Sequence, residues 1–282
     1  MGKAGRLTET ATLMRERPAA PGPSGTECLR VMSLNVAHGR KLAAQQVFVR
    51  RHKFHANLCD VAAVLRREAP HVVALQEADG PSFWSGDFHH VEKLADLAGY
   101  EHHFWGEHNG KAFGRRRISV GTAILSRLPL HSPRSVAFPR FPLRGSKGFV
   151  SALLPVPAAP GGAVHVVSVH LDFLRKPARR QQILTMVDEL AHSKEPLIIL
   201  GDLNCWWRRR DDAIHLLVNE LGVQPCLPEA RDLATFPARR PRLRLDWILL
   251  SPALRFGRYE VIADRVSDHL GVIAEVLVNP AA

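Results

Sequence analysis

The sequence has 282 residues, of which 46% are hydrophobic and 23% charged, with a formal net charge of +11 at pH 7 and a pI near 10.1. A chain of this length can bury a substantial core as one large domain or two small ones. It contains no apolar run long enough to span a bilayer, which excludes an integral helical membrane protein. The positive charge favours polyanions such as nucleic acid or anionic lipid, although an arginine-rich proteome gives the same balance without such a partner.

The first 26 residues are rich in Pro, Gly, Ala and charged side chains, which predicts a flexible leader over residues 1–26. No apolar stretch precedes a small-residue cleavage site there, so we expect no secretory signal. The cysteines lie far apart and form no Cys-x-x-Cys pair, which argues against a zinc site or a disulfide framework. We therefore expect a cytoplasmic protein in a reducing compartment. The cysteines are Cys28, Cys59, Cys205 and Cys226.

The first half of the chain predicts strands separated by helices. "CLRVMSLN" predicts a strand over residues 28–34, and roughly helical spacing of apolar residues predicts a helix within 43–68, closed by Pro70. "HVVALQE" predicts a second short buried strand. "HHVEKLADLAGY" predicts a helix that ends at Gly99, and "ISVGTAILSRLPL" predicts a third strand that stops at a proline.

The second half adds more strands than helices. "GFVSALLPV" and "AVHVVSVHLD" predict a hairpin, and Pro177 suits the first turn of a helix with an apolar stripe at Ile183, Leu184, Val187 and Leu190. A strand at "LIILGDLNC", a helix near 211–221 and strands at 244–250, 258–263 and 271–278 follow. The excess of strands joined by short links predicts one mixed or antiparallel α+β domain over residues 27–279.

Six apolar runs meet polar residues of chemically useful types. In an antiparallel sandwich the ends of some strands and the starts of others lie at one rim, so we expect these polar residues to meet there. Residues two apart in a strand face the same side, which pairs Asp202 with Asn204 and His170 with Asp172. The polar residues at the six runs are Asn35, Gln76, Glu77, His170, Asp172, Asp202, Asn204, Asp246, Ser267, Asp268 and His269.

The residue types in this set indicate phosphate or metal chemistry. Carboxylates and carboxamides are hard oxygen ligands that suit Mg²⁺ or Mn²⁺ better than Zn²⁺. Histidines suit proton transfer or contact with an anionic oxygen.

Seven motifs occur in an order that resembles the endonuclease/exonuclease/phosphatase family, which has the DNase I-like fold. The motifs are "SLNVAHG", "ALQEAD", "GTAILS", "VHLDF", "LGDLN", "RLDWIL" and "SDH", and the match that they mark out extends over nearly all of residues 29–276. The resemblance implies a four-layer sandwich, with two packed β-sheets flanked by helices, and metal-dependent hydrolysis of a phosphate ester. One departure is Thr122, which stands where relatives often carry Asn, so Thr122 is not among the expected site residues.

The resemblance also implies roles for individual residues. Glu77 is the expected Mg²⁺ ligand, and Asn35 is expected to assist at the metal or at the phosphate. Asp268 is either a second metal contact, directly or through water, or a residue that orients His269. Mn²⁺ is a possible substitute for Mg²⁺. A carboxylate at the end of an apolar strand is costly unless it is paired or bound to a metal, which agrees with the role of Glu77.

The catalytic roles that the resemblance implies fall on five residues. Asp202 is the expected general base or orienter of water, and Asn204 holds the water or a phosphate oxygen. His269 and Asp246 resemble the family's His–Asp dyad, in which the carboxylate fixes the tautomer of the ring. His170 is expected to donate to a phosphate oxygen. Asp172 is either a supporting residue or a turn residue.

Basic loops flank several of these strands and indicate an anionic phosphoester substrate. In "CWWRRRDD" the arginines and indoles could grip a phosphodiester backbone, or else one Trp is core and the arginines are solvated. The other basic loops are "FGRRRIS", "RKPARR" and "PARRPRLR". We expect a phosphodiesterase or nuclease. The alternatives are a phospholipid or phosphoinositide hydrolase at an anionic membrane, and an inactive binding scaffold.

Overall fold

The computed structural model describes residues 27–139, 146–208 and 213–278, so the expected leader at 1–26 lies outside the described residues. No helix in the described ranges combines the length and the apolar composition that crossing a bilayer requires. None of the cysteines forms a disulfide; Cys28 and Cys59 are exposed, whereas Cys205 and Cys226 are buried.

Twelve strands form two mixed sheets among the described residues. In chain order the strands are β1 (Glu27–Asn35), β2 (Val72–Asp79), β3 (His102–Phe113), β4 (Arg116–Ser126), β5 (His131–Ala137), β6 (Gly148–Pro155), β7 (Ala163–His170), β8 (Leu197–Asp202), β9 (Gln224–Pro225), β10 (Asp246–Leu250), β11 (Leu254–Val261) and β12 (Val272–Val278). Sheet A has the order β11-β12-β1-β2-β4-β3, and sheet B has the order β5-β6-β7-β8-β10-β9.

Each sheet contains one parallel pair of strands, β1 with β2 in sheet A and β7 with β8 in sheet B. A helix connects the two strands of each pair, as a parallel connection requires. The α-helices of the described residues are α1 (Arg51–Glu68), α2 (His90–Ala98), α3 (Lys176–Leu190) and α4 (Ala213–Leu221). Each sheet therefore has a parallel, helix-connected pair of strands in its interior, and several of the predicted site residues lie at the carboxyl ends of these strands.

The period of two along each strand separates an inner core from two outer cores. Val31, Ala74 and Leu200 belong to the apolar layer between the sheets. Their strand neighbours face outward, where α1 and α2 cover sheet A and α3 and α4 cover sheet B. The predicted four-layer α+β sandwich is confirmed. In the same alternation, Asn35 and Asp202 fall on the inner faces, at the ends of β1 and β8.

Local sequence signals explain the ends of the helices. Helix α2 ends at Gly99, which adopts a left-handed conformation with φ 72° and donates its N–H to Ala95 O. Helix α1 ends at Ala69, also left-handed with φ 45°, immediately before Pro70. Pro177 lies in the first turn of α3, as predicted.

Several boundaries differ from the sequence-based prediction. The prediction missed β3, β5 and β9, because β5 is exposed along nearly its whole length, β3 lacks a regular apolar alternation and β9 has only two residues. The helix predicted over 43–68 begins only at Arg51; the residues before it form turns and a short 3₁₀ helix, Gln46–Phe48. Leu184 was expected in the apolar stripe of α3 but is exposed, and Met186 is buried instead, because the helix turns that face toward sheet B.

Candidate active site

The polar ends of the inner faces meet at one rim of the sandwich. Asn35 lies opposite Gln76 at the last register of β1 and β2, and His170 lies opposite Asp202 at the last register of β7 and β8. Asp246 begins β10 directly opposite Asp202. A cavity of about 600 Å³ opens at this rim, and its lining includes Glu77, His170, Asp202, Asn204 and His269.

Glu77 reaches this cavity because a β-bulge interrupts β2. The register between β2 and β4 shifts between Leu75 and Ala78, and Glu77 itself has a φ of 51°, in the left-handed region. A bulge re-aims one side chain of an otherwise regular strand. Strain of this kind in a non-glycine residue is frequent at functional sites. The bulge thus brings Glu77 to the rim beside Gln76 of the same strand.

The surroundings of Glu77 are cationic. Its Oε2 lies 3.2 Å from His38 Nε2, and its Oε1 lies 3.8 Å from Lys147 Nζ and 3.9 Å from His170 Nε2. Burial opposes ionisation, but the positive charges of His38 and Lys147 outweigh it and hold the pKa of Glu77 well below its usual range. Glu77 is therefore a permanent anion at neutral pH.

His38 and Lys147 are site residues that the sequence reasoning missed. His38 Nδ1 lies 2.7 Å from Asp79 Oδ1, and burial of the ring is outweighed by Asp79 and Glu77, which raise the pKa of His38. Lys147 precedes β6, outside every quoted motif. The only sequence signal for His38 is its position three residues after Asn35, in "NVAHG".

Asn35 connects the two sides of the site. Its Nδ2 donates to Asp202 Oδ2 at 3.1 Å, and its Oδ1 accepts the N–H of Ala37 at 2.9 Å. These two bonds fix which end of the carboxamide carries the oxygen. The oxygen retains a second lone pair, so Asn35 can serve both Asp202 and a ligand near Glu77.

Asp202 has the opposite electrostatic character to Glu77. Its Oδ1 accepts the N–H of Asn204 at 3.1 Å, and its Oδ2 lies 3.4 Å from His170 Nε2 and 3.8 Å from His269 Nε2. Burial and the nearby Asp246 raise the pKa of Asp202 to about 7, although His269 opposes the shift. A carboxyl group with this pKa is suited to exchange a proton at neutral pH.

Asp246 and His269, the two residues expected to act as a dyad, are in hydrogen-bond contact. His269 Nδ1 lies 2.8 Å from Asp246 Oδ2, which also accepts the hydroxyl of Thr235 at 2.6 Å. Burial opposes the charged ring, but Asp246 and Asp202 raise the pKa of His269 to about 10. His269 is therefore cationic at neutral pH, and its Nε2 faces Asp202 and the cavity.

Asn204 and His170 complete the cavity wall. Asn204 has a φ of 49° and donates its Nδ2 to Leu171 O at 3.0 Å, so it turns the chain back toward β7. Lys147 Nζ lies 3.0 Å and 2.9 Å from the two ring nitrogens of His170. Burial and this ammonium lower the pKa of His170 well below its usual range, so the ring is neutral.

Two other predicted residues have different partners. Asp268 Oδ2 accepts Arg40 at 2.6 Å, which neutralises the carboxylate; its role at a metal stays a prediction. Asp172 Oδ1 accepts the N–H groups of Leu174 and Arg175, both at 2.8 Å. Asp172 therefore shapes the turn that precedes α3, which favours the turn alternative.

Thr122, the departure from the family motif, is buried beside a histidine. Its Oγ1 lies 2.9 Å from His108 Nε2. Burial and Lys147 lower the pKa of His108 to about 4, so its ring is neutral.

Some residues of the predicted basic loops pack within the fold, whereas others line the cavity. Arg244 is buried, donates to the backbone oxygens of Cys226 and Leu227, and lies over Trp247. Trp207 packs on the outer core of sheet B, whereas Trp206 lines the cavity together with Lys176 and Arg179. Residues 209–212 of the "CWWRRRDD" segment lie outside the described residues.

The donor set at this rim fits a hard divalent cation. Glu77 supplies an ionised carboxylate and Asn35 a carboxamide oxygen, the donors that such ions prefer. Asp202, Asp246 and His269 also place one donor atom each within 4.8 Å of one another. In that second set Asp246 Oδ2 is engaged by His269 and Thr235, whereas Asp246 Oδ1 is buried without a hydrogen-bond partner among the described residues.

The fold and this site define a class, namely two-sheet sandwich hydrolases that act on phosphoester bonds. The model of the Endonuclease/Exonuclease/phosphatase family matches residues 32–269, and the chain belongs to this family. It is accordingly a phosphoester hydrolase.

Solved structures of low sequence identity share the fold. A family member from Beutenbergia cavernae DSM 12333 superposes with a TM-score of 0.72 at 23% identity, covering 89% of this chain and 72% of that chain. A mannosyl-6-phosphatase from Bacteroides thetaiotaomicron VPI-5482 gives 0.66 at 15% identity, covering 88% and 99%. A humanized D. rerio TDP2 gives 0.62 at 18% identity, covering 88% and 98%.

Proposed function

We propose that the protein is a divalent-metal-dependent phosphodiesterase, with Mg²⁺ or Mn²⁺ as the cofactor and nucleic acid as the first candidate substrate. The observation that carries the proposal is the pairing of an ionised Glu77 with a protonatable Asp202 and a cationic His269 around one cavity. Hydrolysis of a phosphodiester needs a cation site, a base for water and a donor for the phosphate oxygens, and these residues supply each of them.

Glu77 and Asn35 would hold the cation. When bound, it neutralises the phosphate and stabilises the leaving oxygen. Asp268 would contribute only through water while Arg40 neutralises it.

Asp202 would take the proton from the attacking water. The amide of Asn35 and the N–H of Asn204 hold its two oxygens in place, so the carboxylate does not need to reorient before it accepts a proton. General-base catalysis of this kind contributes about 10²–10⁴-fold in rate. Asn204 lines the cavity beside Asp202 and would orient the same water.

His269 would donate from Nε2 to a non-bridging phosphate oxygen. Asp246 holds Nδ1 and thereby leaves Nε2–H directed at the cavity, which is the role of the carboxylate in a catalytic dyad. Lys147 adds a positive charge near Glu77, and the neutral His170 offers a further contact for the substrate. The charge that develops in the transition state would thus meet donors that are already in position.

The cavity lining supports a polyanionic substrate but also admits a lipid. Trp206, Lys176 and Arg179 offer an indole for stacking and positive charges for phosphates. Phe173 and Leu174 are 58% and 52% exposed at the same cavity, and these residues favour the second candidate, a phospholipid or phosphoinositide at an anionic membrane.

A substrate panel with a metal control tests the proposal. Purified protein is assayed on bis(p-nitrophenyl) phosphate, DNA, RNA and phospholipid vesicles, each with Mg²⁺, with Mn²⁺ and with chelator. We expect metal-dependent hydrolysis that Glu77→Gln abolishes, and hydrolysis of nucleic acid that falls as salt rises. Activity confined to lipid headgroups would replace the first substrate with the second. Equal inactivity of the wild type and Glu77→Gln on every substrate would support the inactive scaffold instead.

A further inference from the structure

His38 is held in one orientation by a fully buried carboxylate. Its Nδ1 lies 2.7 Å from Asp79 Oδ1. The other oxygen of Asp79 already accepts Trp84 Nε1 at 2.8 Å and Ser85 Oγ at 2.6 Å. Asp79 Oδ1 therefore requires its donor from His38, which places the ring proton on Nδ1 and leaves Nε2 to serve another partner.

His38 Nε2 points at the carboxylate of Glu77. The distance from Nε2 to Glu77 Oε2 is 3.2 Å, and the side chain of His38 is only 14% exposed. When no metal is bound, a proton on Nε2 pairs with the carboxylate of Glu77. A divalent cation between the two groups would displace that proton, so that the Nε2 lone pair and the carboxylate oxygen both face the ion. Two ligands at right angles on one octahedral cation, each about 2.1 Å away, stand roughly 3.0 Å apart. The measured separation therefore suits two ligands of the same ion.

The backbone also holds His38 at this place. Its φ is 52°, in the left-handed region, and the preceding Ala37 has a φ of 49°. Asn35 Oδ1 fixes this turn by accepting the N–H of Ala37. Strain in consecutive residues that lack the freedom of glycine indicates that the surrounding structure maintains the position of the ring.

We infer that His38 is a direct ligand of the catalytic cation through Nε2, with Asp79 as the carboxylate that orients it. A histidine that binds a metal through one nitrogen and a carboxylate through the other is a recurrent arrangement. An imidazole ligand favours Mn²⁺ over Mg²⁺, because Mg²⁺ is selected by an all-oxygen set. The inference rests on the proposed metal-dependent function and adds a nitrogen ligand and a metal preference to it.

Pulsed EPR of bound Mn²⁺ detects a nitrogen ligand directly. The full chain is prepared with natural-abundance nitrogen and with ¹⁵N-labelled histidine, loaded with one equivalent of Mn²⁺, and compared with His38→Gln and His170→Gln. His170 is the matched control, because its Nε2 also approaches Glu77, at 3.9 Å. We expect a histidine nitrogen coupling in the wild type and in His170→Gln, and its loss in His38→Gln. Titrations should show Mn²⁺ affinity about 10- to 100-fold weaker in His38→Gln, with a smaller loss for Mg²⁺.

The outcomes separate this inference from the function on which it rests. Coupling that is absent from an active, Mn²⁺-loaded wild type, or that survives in a folded His38→Gln, overturns the inference and leaves the proposed function standing. Failure of the wild type to bind Mn²⁺ or Mg²⁺ overturns both. If His38→Gln does not fold, coupling that persists in both His170→Gln and His269→Gln assigns the ligand to His38, and its loss in either variant overturns the assignment.

Discussion

The end of β2 in sheet A and the end of β8 in sheet B occupy matching places in the two sheets. Each follows a parallel partner through a helical connection, and each has a left-handed residue beside it, Glu77 with φ 51° and Asn204 with φ 49°. Both ends carry a carboxylate, the partly exposed Glu77 in sheet A and the buried Asp202 in sheet B. Their proton affinities nevertheless diverge, since the pKa of Glu77 is lowered and that of Asp202 is raised to about 7.

The divergence comes from the neighbours that each sheet supplies. Glu77 faces His38 and Lys147, whereas Asp202 lies opposite Asp246, a second carboxylate, in the antiparallel register of β8 and β10. Burial raises the pKa of both carboxyl groups, and the surrounding charges decide whether the net pKa lies above or below its usual value. The same topology in the two sheets thus gives Glu77, an ionised carboxylate suited to bind a cation, and Asp202, a carboxyl group suited to exchange a proton.

The substitution Asp202→Asn tests the proton-accepting side and has the largest expected effect. We expect kcat to fall by about 10²–10⁴-fold with metal affinity little changed, because a carboxamide cannot accept the proton from water. Steady-state kinetics and an Mn²⁺ titration measure the two quantities. Asp172→Asn is the control and should cost less than about tenfold, because its Oδ1 acceptor is retained. A large loss of metal affinity in Asp202→Asn would show that Asp202 also binds the metal and does not act only as a proton acceptor.

Glu77→Gln tests the cation-binding side. We expect the affinity for divalent metal to fall by more than about 100-fold, since loss of an outer-shell partner alone costs about 10–100-fold. Isothermal titration calorimetry with Mn²⁺ measures the change. Glu107→Gln on β3 serves as a matched control with unchanged affinity. Unaltered Mn²⁺ binding in Glu77→Gln would contradict the assignment of Glu77 as a metal ligand.

The pH dependence of hydrolysis compares Asp202 with His269. Asp202 must be deprotonated to accept a proton, so the rate should fall as pH drops below about 7. His269 must be protonated to donate, so the rate should fall as pH rises above about 10. Asp246→Asn removes the charge that raises the second pKa, and the alkaline limb should move down toward the ordinary histidine value of about 6.5. An alkaline limb that does not move would mean that His269 is not the donor.

Lys147→Met has the smallest expected effect. We expect KM for an anionic substrate to rise by about tenfold, because one positive charge beside Glu77 and His170 is lost, while kcat changes less. Lys111→Met, at an exposed position of β3, is the control and should leave KM unchanged. A drop in kcat with an unaltered KM would instead place Lys147 in the chemical step.

The sequence by itself determined the core of the sandwich and the residues at its rim. The period of two in "VMSLN", "VVSVH" and "LIILGD" places Asn35, His170 and Asp202 on inner faces, because successive side chains in a strand alternate sides. The pairing of Asp246 with His269 was implied by the resemblance of short motifs, in their order, to the family. Strand edges that face solvent, such as β5, carry no such pattern, so they were missed.

Only the tertiary structure decided what those residues do. The bulge that turns Glu77, the contact of Lys147 with His170 and the position of His38 between Asp79 and Glu77 depend on segments far apart in the chain. A carboxylate at the end of a buried strand looks the same in one sequence whether it keeps or releases its proton. The outcome depends on the charges that folding brings within a few ångströms, because Coulomb interactions at short range outweigh the cost of burial at Glu77 and add to it, through Asp246, at Asp202.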